Sequence, residues 1–505
     1  LLALFQTGWF VAKMADPRPV PAGDQEIAWL HIPTSGETWE NFVWGIKRAE
    51  MSSAPAGLQV DDSGAFPART TAVPEVVISR TGFSGKIRVR WYKVTNDAPT
   101  GAWVKALAAR TPAPLAIIGG WSSDRARELA EAMAATEWPS AKPLLLLSTA
   151  TADSVYPDEE NYAVNYQPPK LISLYNRSFR FCFTNRQMAN AVTDFVFSEP
   201  TLRPGPVARP WLAELWPDTV RTQAFAVTWK DDPYSLDLSQ QFRDAIAEQG
   251  AIPGRPRVSV ESELVPFSAG RFARPNPYEA QIVDFILTHP SFPRRDERTV
   301  IVIPTVTAPA RRVLGALAQG NPTAARRLVA ITGDGIPVNA LFRDGEFAWP
   351  VRSVPIPLVL STHHDPFDWD EPGDPAPPRG YELVPPAKPG EVKNSTEDIQ
   401  LFNSLIRVVA TSAFRDGSSE LVSSADELES RFRNLSPAYF DASGNRLSGS
   451  GEHVVVLRPA ARLTDAIYSD ATIEVYTRQT GKGWLRIRTR QVLQTVRPQE
   501  GGAGE

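Results

Sequence analysis

Four short segments carry side chains that could meet a small ligand. The first, Ile117-Ile118-Gly119-Gly120-Trp121-Ser122-Ser123-Asp124, runs from an apolar strand pattern straight into a helical one. Ser122, Ser123 or Asp124 can cap that helix. The free N–H groups of its first turn and the positive end of its dipole can also hold a carboxylate or another anion. The second segment, Leu147-Ser148-Thr149-Ala150-Thr151-Ala152-Asp153, sets hydroxyls at the end of the next apolar run. Open α/β sheets bind ligands there, although a Ser/Thr-rich loop can equally satisfy its own backbone. The third and fourth, Asp231-Asp232-Pro233-Tyr234 and Thr332-Gly333-Asp334-Gly335, follow two later apolar runs. A tyrosine offers a stacking face and a hydroxyl, and an aspartate at a strand end can pair with an amine; both segments also read as turns.

Other chemistries find less support. His363, His364, Asp365, Asp368 and Asp370 cluster in sequence, but adjacent histidines on an extended segment do not aim at one ion. No C-x-x-C or H-E-x-x-H accompanies them, so they read as a solvated loop, and no metal or cofactor is expected. Gly120-Trp121-Ser122-Ser123-Asp124 lacks the second glycine of a nucleophile elbow. The chain has only five histidines to serve as a base and no G-x-G-x-x-G or phosphate loop, so an enzyme is not expected. The net charge of −4 leaves no positive excess for a phosphate backbone, which argues against nucleic acid. Cys182, the one cysteine, sits in an apolar run and reads as a buried thiol.

The elements that must position these segments alternate between short apolar runs and amphipathic helices. Ala28–Ile32, Leu115–Ile118, Leu144–Leu147, Ala224–Thr228, Val300–Ile303 and Leu328–Ile331 read as strands. Helical spacing follows several of them, over 38–50, 124–136, 239–249 and 308–317, and further helices are expected over 186–197 and around 399–409. Continuous apolar runs between helices indicate parallel strands buried on both faces. The spacing predicts two βα series within 505 residues, too many for one ordinary domain. Asp365–Lys393, rich in proline and acid, reads as an irregular excursion, Thr472–Thr477 and Trp484–Thr489 as a hairpin, and Gln499–Glu505 as a disordered tail. The apolar opening, Leu1–Val11, is short of the ~20 residues that span a bilayer and reads as the tail of a signal or anchor segment.

Taken in order, the four segments resemble the type I periplasmic-binding family, the class of the leucine/isoleucine/valine-binding protein. Gly119–Ser123 is similar to the family's carboxylate-binding turn and Ser148–Thr151 to its following strand end. Asp232-Pro233-Tyr234 is similar to the segment whose tyrosine covers the ligand, and Thr332–Asn339 to the one whose acidic residue takes an amino group. Phe179-Arg180-Phe181 and Phe440–Asn445 resemble crossover segments, and the likeness spans roughly 26–462. Ser235 departs from the family's usual glycine, and Trp121 is bulky for its place.

The resemblance implies a two-lobed α/β fold, each lobe a parallel sheet flanked by helices, joined by three crossover segments. Lobe one would combine 26–182 with 362–432, and lobe two 183–361 with 433–462. Residues 1–25 would be a targeting remnant with linker and 463–505 a hairpin and tail outside the binding core. It implies an extracytoplasmic protein that captures an amino acid or analogue in an interlobe cleft. The ligand would be held by Trp121, Ser122, Ser123, Thr149, Thr151, Tyr234 and Asp334, with a membrane permease as partner. The alternative is a ligand-sensing or interaction domain of a membrane-anchored receptor with a different or lost ligand.

Overall fold

The computed structural model describes residues 19–34, 36–51, 55–69, 72–155, 168–206, 221–230, 232–265, 277–290, 292, 297–341, 349–351, 353–368, 397–415, 417–447, 452–459, 468–479 and 481–495. The expectations for the first eleven residues, for most of the Asp365–Lys393 excursion and for the last seven residues lie outside these. Contacts divide the chain into two units. The first holds residues 1–155, 167–184 and 398–447, and the second holds 156–166, 185–397 and 448–505. Leaving aside 156–167, which lie outside the described residues, the chain crosses between units after Thr184, Glu397 and Leu447. The last crossover lies beyond residue 432 because Phe432 and Phe440 pack on Phe179 at ring-centroid distances of 5.0 and 5.3 Å, binding that stretch to unit one.

Unit one is built on β1 (Gln25–His31), β2 (Leu58–Asp61), β3 (Glu75–Arg80), β4 (Ile87–Lys93), β5 (Ala116–Gly119), β6 (Leu144–Leu147) and β7 (Ser178–Arg180), in the order β2-β3-β4-β1-β5-β6-β7. From β4 to β7 all pairings are parallel, and β3 and β2 add antiparallel at one edge. The apolar run of β1 is explained by burial on both faces. Ile27 and Trp29 pack among Trp39, Phe402 and Phe432, from helices Gly36–Met51, Glu397–Ala413 and Ala425–Tyr439. Ala28 and Leu30 pack with Val104 and Leu129, from helices Thr100–Ala108 and Ser123–Ala135.

Unit two repeats the plan with β8 (Gly205–Pro206), β9 (Arg221–Trp229), β10 (Arg257–Val265), β11 (Glu297–Val302), β12 (Leu328–Ile331), β13 (Leu358–Thr362), β14 (His453–Pro459), β15 (Tyr468–Gln479) and β16 (Gly483–Thr495). The order is β10-β9-β11-β12-β13-β14-β15-β16, with β8 pairing beside β11. Pairings from β10 to β13 are parallel; those from β13 to β16, and that of β8, are antiparallel. Helices Asn185–Ser198 and Pro233–Gly250 cover one face, through residues such as Val192 and Phe242. Pro277–Thr288 and Thr307–Gly320 cover the other, through Ile286 and Leu314.

Two alternating α/β units joined by crossovers are what the sequence implied, but the sheets are mixed and not purely parallel. The hairpin expected outside the binding core is part of the second sheet: Ile473 and Val475 of β15 and Val492 of β16 pack in the same core as Val455 and Leu457. Alternation within 472–477 marks the hairpin in sequence, but nothing local shows that its apolar face closes against β14. Among the described residues no helix is long and apolar enough to cross a membrane.

Candidate functional site

In unit one the strand order reverses beside β1: successive parallel additions go to β4 on one side and to β5, β6 and β7 on the other. The carboxyl ends of the two strands at such a reversal diverge into a crevice, the usual ligand site of open α/β sheets. β5 leads there into Gly120, at φ +74°, where an added Cβ would meet the Cβ of Ala126 at 2.7 Å. Only glycine allows this turn to lie so close to the helix it starts. Trp121, Ser122 and Ser123 follow it. Ser122 occupies the cap position of helix Ser123–Ala135 but makes no side-chain cap bond. Its Oγ lies 2.5 Å from Asp124 Oδ1 instead. Ser123, buried, accepts a bond from the Ala152 N–H at 3.2 Å, and Thr149 Oγ1 donates to the Gly120 carbonyl at 3.4 Å. The two loops carrying Trp121, Ser122, Ser123, Thr149 and Thr151 are thus tied together.

The partner strand at the reversal, β1, ends in His31, which sequence reasoning did not select. Its ring stacks on Trp29 at 4.7 Å and meets the Trp121 ring at 4.9 Å. Burial pushes its pKa down to about 4, against an opposing backbone hydrogen bond to Ile32, so His31 is neutral near pH 7. Unit one therefore sets two aromatic rings, His31 and Trp121, against each other next to a helix start with no side-chain cap.

Unit two reverses in the same way between β9 and β11. Asp232 caps helix Pro233–Gly250 by accepting from the Tyr234 N–H at 3.0 Å, and Pro233 stands at the first helical position. This fixes Tyr234, whose hydroxyl accepts from the Gly335 N–H at 2.9 Å and bonds Asp334. Burial and the neighbouring Asp334 charge push that hydroxyl well above a phenol's ordinary range, so it stays protonated and donates to the carboxylate. Asp334 Oδ2 also lies 3.0 Å from Nε2 of His363, at the end of β13. The His363 N–H donates to Glu397 Oε1 at 2.6 Å.

Here the solvated-loop expectation is corrected. His363 is buried in a Tyr–Asp–His network, and Asp365 is bonded by Arg488 of β16, which also approaches Asp368 at 3.9 Å. Asp370 lies outside the described residues, as does Asp231. Among the described residues no cluster of three or more His, Cys, Asp or Glu could hold a metal.

No family model and no curated protein matches the chain. Among solved structures it is similar to the leucine binding protein LivK of Thermotoga maritima MSB8, at 12% identity over 92% of this chain and 98% of that one, with a TM-score of 0.46. It is also similar to an ABC transporter substrate-binding protein of Desulfitobacterium hafniense in complex with Leu, at 13% identity over 88% of this chain and 98% of that one, TM-score 0.47. A third is a solute binding protein of an ABC transporter from Rhodopseudomonas palustris BisB5 in complex with 3,4-dihydroxybenzoic acid, at 12% identity over 94% and 99%, TM-score 0.45. Likeness at this level carries no argument of its own; the chain's own strand order and side chains do.

Those side chains form two sets. Trp121, Ser122, Ser123, Thr149 and Thr151 belong to unit one, Tyr234 and Asp334 to unit two. Beside the second set, the hydroxyls of Thr305 and Thr332 are buried without hydrogen-bond partners among the described residues. Arg180, read in sequence only as part of a crossover strand, is fully buried at the end of β7 and donates to the carbonyls of Thr151 and Ala152 at 3.3 and 2.9 Å. The one sequence signal for it was a charged residue between two phenylalanines.

Proposed function

We propose that this chain is an extracytoplasmic solute-binding protein that takes a small carboxylate-bearing ligand and delivers it to a membrane permease of the ABC type. One observation carries the reading. In each unit the strand order reverses beside the first strand of the parallel series, and the segments singled out by residue type stand at or next to the carboxyl ends that border the reversal. In unit one those ends offer backbone N–H donors at an uncapped helix start and an aromatic wall, which suit a carboxylate attached to an apolar body.

Binding rather than catalysis fits the hydroxyls: Ser122 is bonded to Asp124, Ser123 to the Ala152 N–H and Thr149 to the Gly120 carbonyl. Among the described contacts none is oriented by a histidine. The amino-acid form of the ligand asks Asp334 to meet an amine, and Asp334 already has Tyr234 and His363 as partners.

The test is mass spectrometry of small molecules released on denaturing the purified chain, with a thermal-shift panel of carboxylates, amides and sugars. A released carboxylate that raises the melting temperature on re-addition is expected. Stabilisation by a sugar and by no carboxylate would overturn the assignment.

A further inference from the structure

Arg180 poses an electrostatic problem that the proposed function does not explain. Its side chain is fully buried. Its acceptors are the backbone carbonyls of Thr151 and Ala152, and its Nε has no partner among the described residues. Among the described residues it forms no ion pair with a carboxylate. A buried charge without a counter-charge is costly, and its field in a low-dielectric surrounding is felt by whatever binds nearby. Its surroundings are the binding loops themselves. Ala152, whose carbonyl it holds, donates its N–H to Ser123 Oγ, and Thr151 lies in the same loop. Of the acidic residues in these loops, Asp124 is bonded by Ser122 and stands 3.7 Å from Arg125, and Asp153, next to Ala152, has a partner of its own. His31, on the other side of that turn, is neutral near pH 7.

In unit two the group that should greet a ligand cation is already satisfied. Asp334 receives the Tyr234 hydroxyl and lies 3.0 Å from His363. Unit one thus holds a buried positive charge with no carboxylate partner among the described residues, while in unit two Asp334 is engaged by Tyr234 and His363.

We propose that the ligand is a monoanionic carboxylate without an α-ammonium group, and that Arg180 sets this preference. The proposal deepens the solute-binding reading and rests on it. Arg180 does not touch the ligand. It is a positioning residue that also supplies a fixed positive potential behind the Thr151–Ala152 loop. That potential attracts a carboxylate and repels an ammonium group on the same molecule, so a zwitterion gains little where a simple acid gains fully. The aromatic pair His31 and Trp121 suits the apolar or planar body of such an acid.

The experiment compares matched pairs on the full native chain by calorimetry: leucine against 4-methylpentanoate, phenylalanine against 3-phenylpropanoate, each with its neutral amide. The deaminated acid of at least one pair is expected to bind about tenfold or more tighter than its amino acid. Arg180→Gln should collapse that ratio toward one, and Arg180→Lys, which keeps the charge, should preserve it. A merely structural role would weaken both members of a pair alike and leave the ratio unchanged. Amino acids that bind as tightly as their deaminated acids in every pair that binds overturn the proposal and spare the solute-binding reading. A panel in which no carboxylate binds overturns both. The native-chain comparison decides the ligand class whether or not Arg180→Gln folds.

Discussion

Lowering the pH should destabilise this protein through His31, well above the range where carboxylates titrate. In the folded state burial holds the imidazole pKa down to about 4, against an ordinary value of 6.5. A group that binds its proton more weakly when folded favours the unfolded state wherever only the unfolded chain is protonated. The contribution is therefore neutral above the unfolded pKa, falls as pH drops through that value, and levels off below the folded one. The full span is about 3 kcal/mol, of which about 2 kcal/mol is lost between pH 7 and pH 5. His31→Phe keeps a ring against Trp29 and Trp121, which now lie 4.7 and 4.9 Å from the imidazole, and removes the titration. Urea denaturation of both proteins at pH 7, 6 and 5 isolates the effect, because every other titrating group is common to the two. The variant should gain about 2 kcal/mol on the native chain over that interval. Parallel pH profiles would refute the reasoning and mean that His31 takes up its proton without leaving the fold.

Three further outcomes follow from the packing. Gly444→Ala places a Cβ 2.4 Å from the Ser178 carbonyl at a φ of +90°, where the crossover turn lies against β7. It should lower unfolding stability by about 3 kcal/mol in denaturant titrations. Deleting residues 464–505 should abolish cooperative melting of unit two, because it strips β15 and β16 from a core shared with Val455 and Leu457; a truncated chain that melts cooperatively like the full one would contradict this. Asp334→Asn should cost about 1–3 kcal/mol by weakening the bonds to Tyr234 and His363, yet leave carboxylate binding within a few fold by calorimetry. Loss of all carboxylate binding would return Asp334 to the role of direct ligand contact.

What the sequence made legible follows from what is local. Leu144–Leu147 and Leu328–Ile331 appear as strands at the boundaries read from their apolar runs, because a strand buried on both faces needs no alternation to announce it. The antiparallel strands β2 and β3 are not legible: in β3, Val76 and Ile78 are buried, while Val77 between them and Ser79 after them are only partly covered. Half-covered strands of four to six residues leave too short a pattern to separate from loop. Helix Ala425–Tyr439 was missed as well; its charged residues hide a stripe of Leu428 and Phe432 that closes on Phe179.

The candidate loops were legible for the same local reason, since hydroxyls and glycines after an apolar run mark a strand end whatever the protein does. What tunes those loops was not. Arg180 reaches Thr151 and His363 reaches Asp334 across 29 residues in each case, and the Arg180 N–H meets the Gly444 carbonyl across most of the chain. None of these partners shares a motif with the residue it holds. On the proposed reading the buried charge of Arg180 bears on which ligand these loops accept, since the same Ser–Ser turn would then favour a simple acid over a zwitterion. On that reading the family-like motif would meet the carboxylate, and Arg180, outside the motif, would set the preference for the rest of the ligand. Selectivity should therefore respond to Arg180 and His363 more than to the serines, whose removal weakens every carboxylate alike.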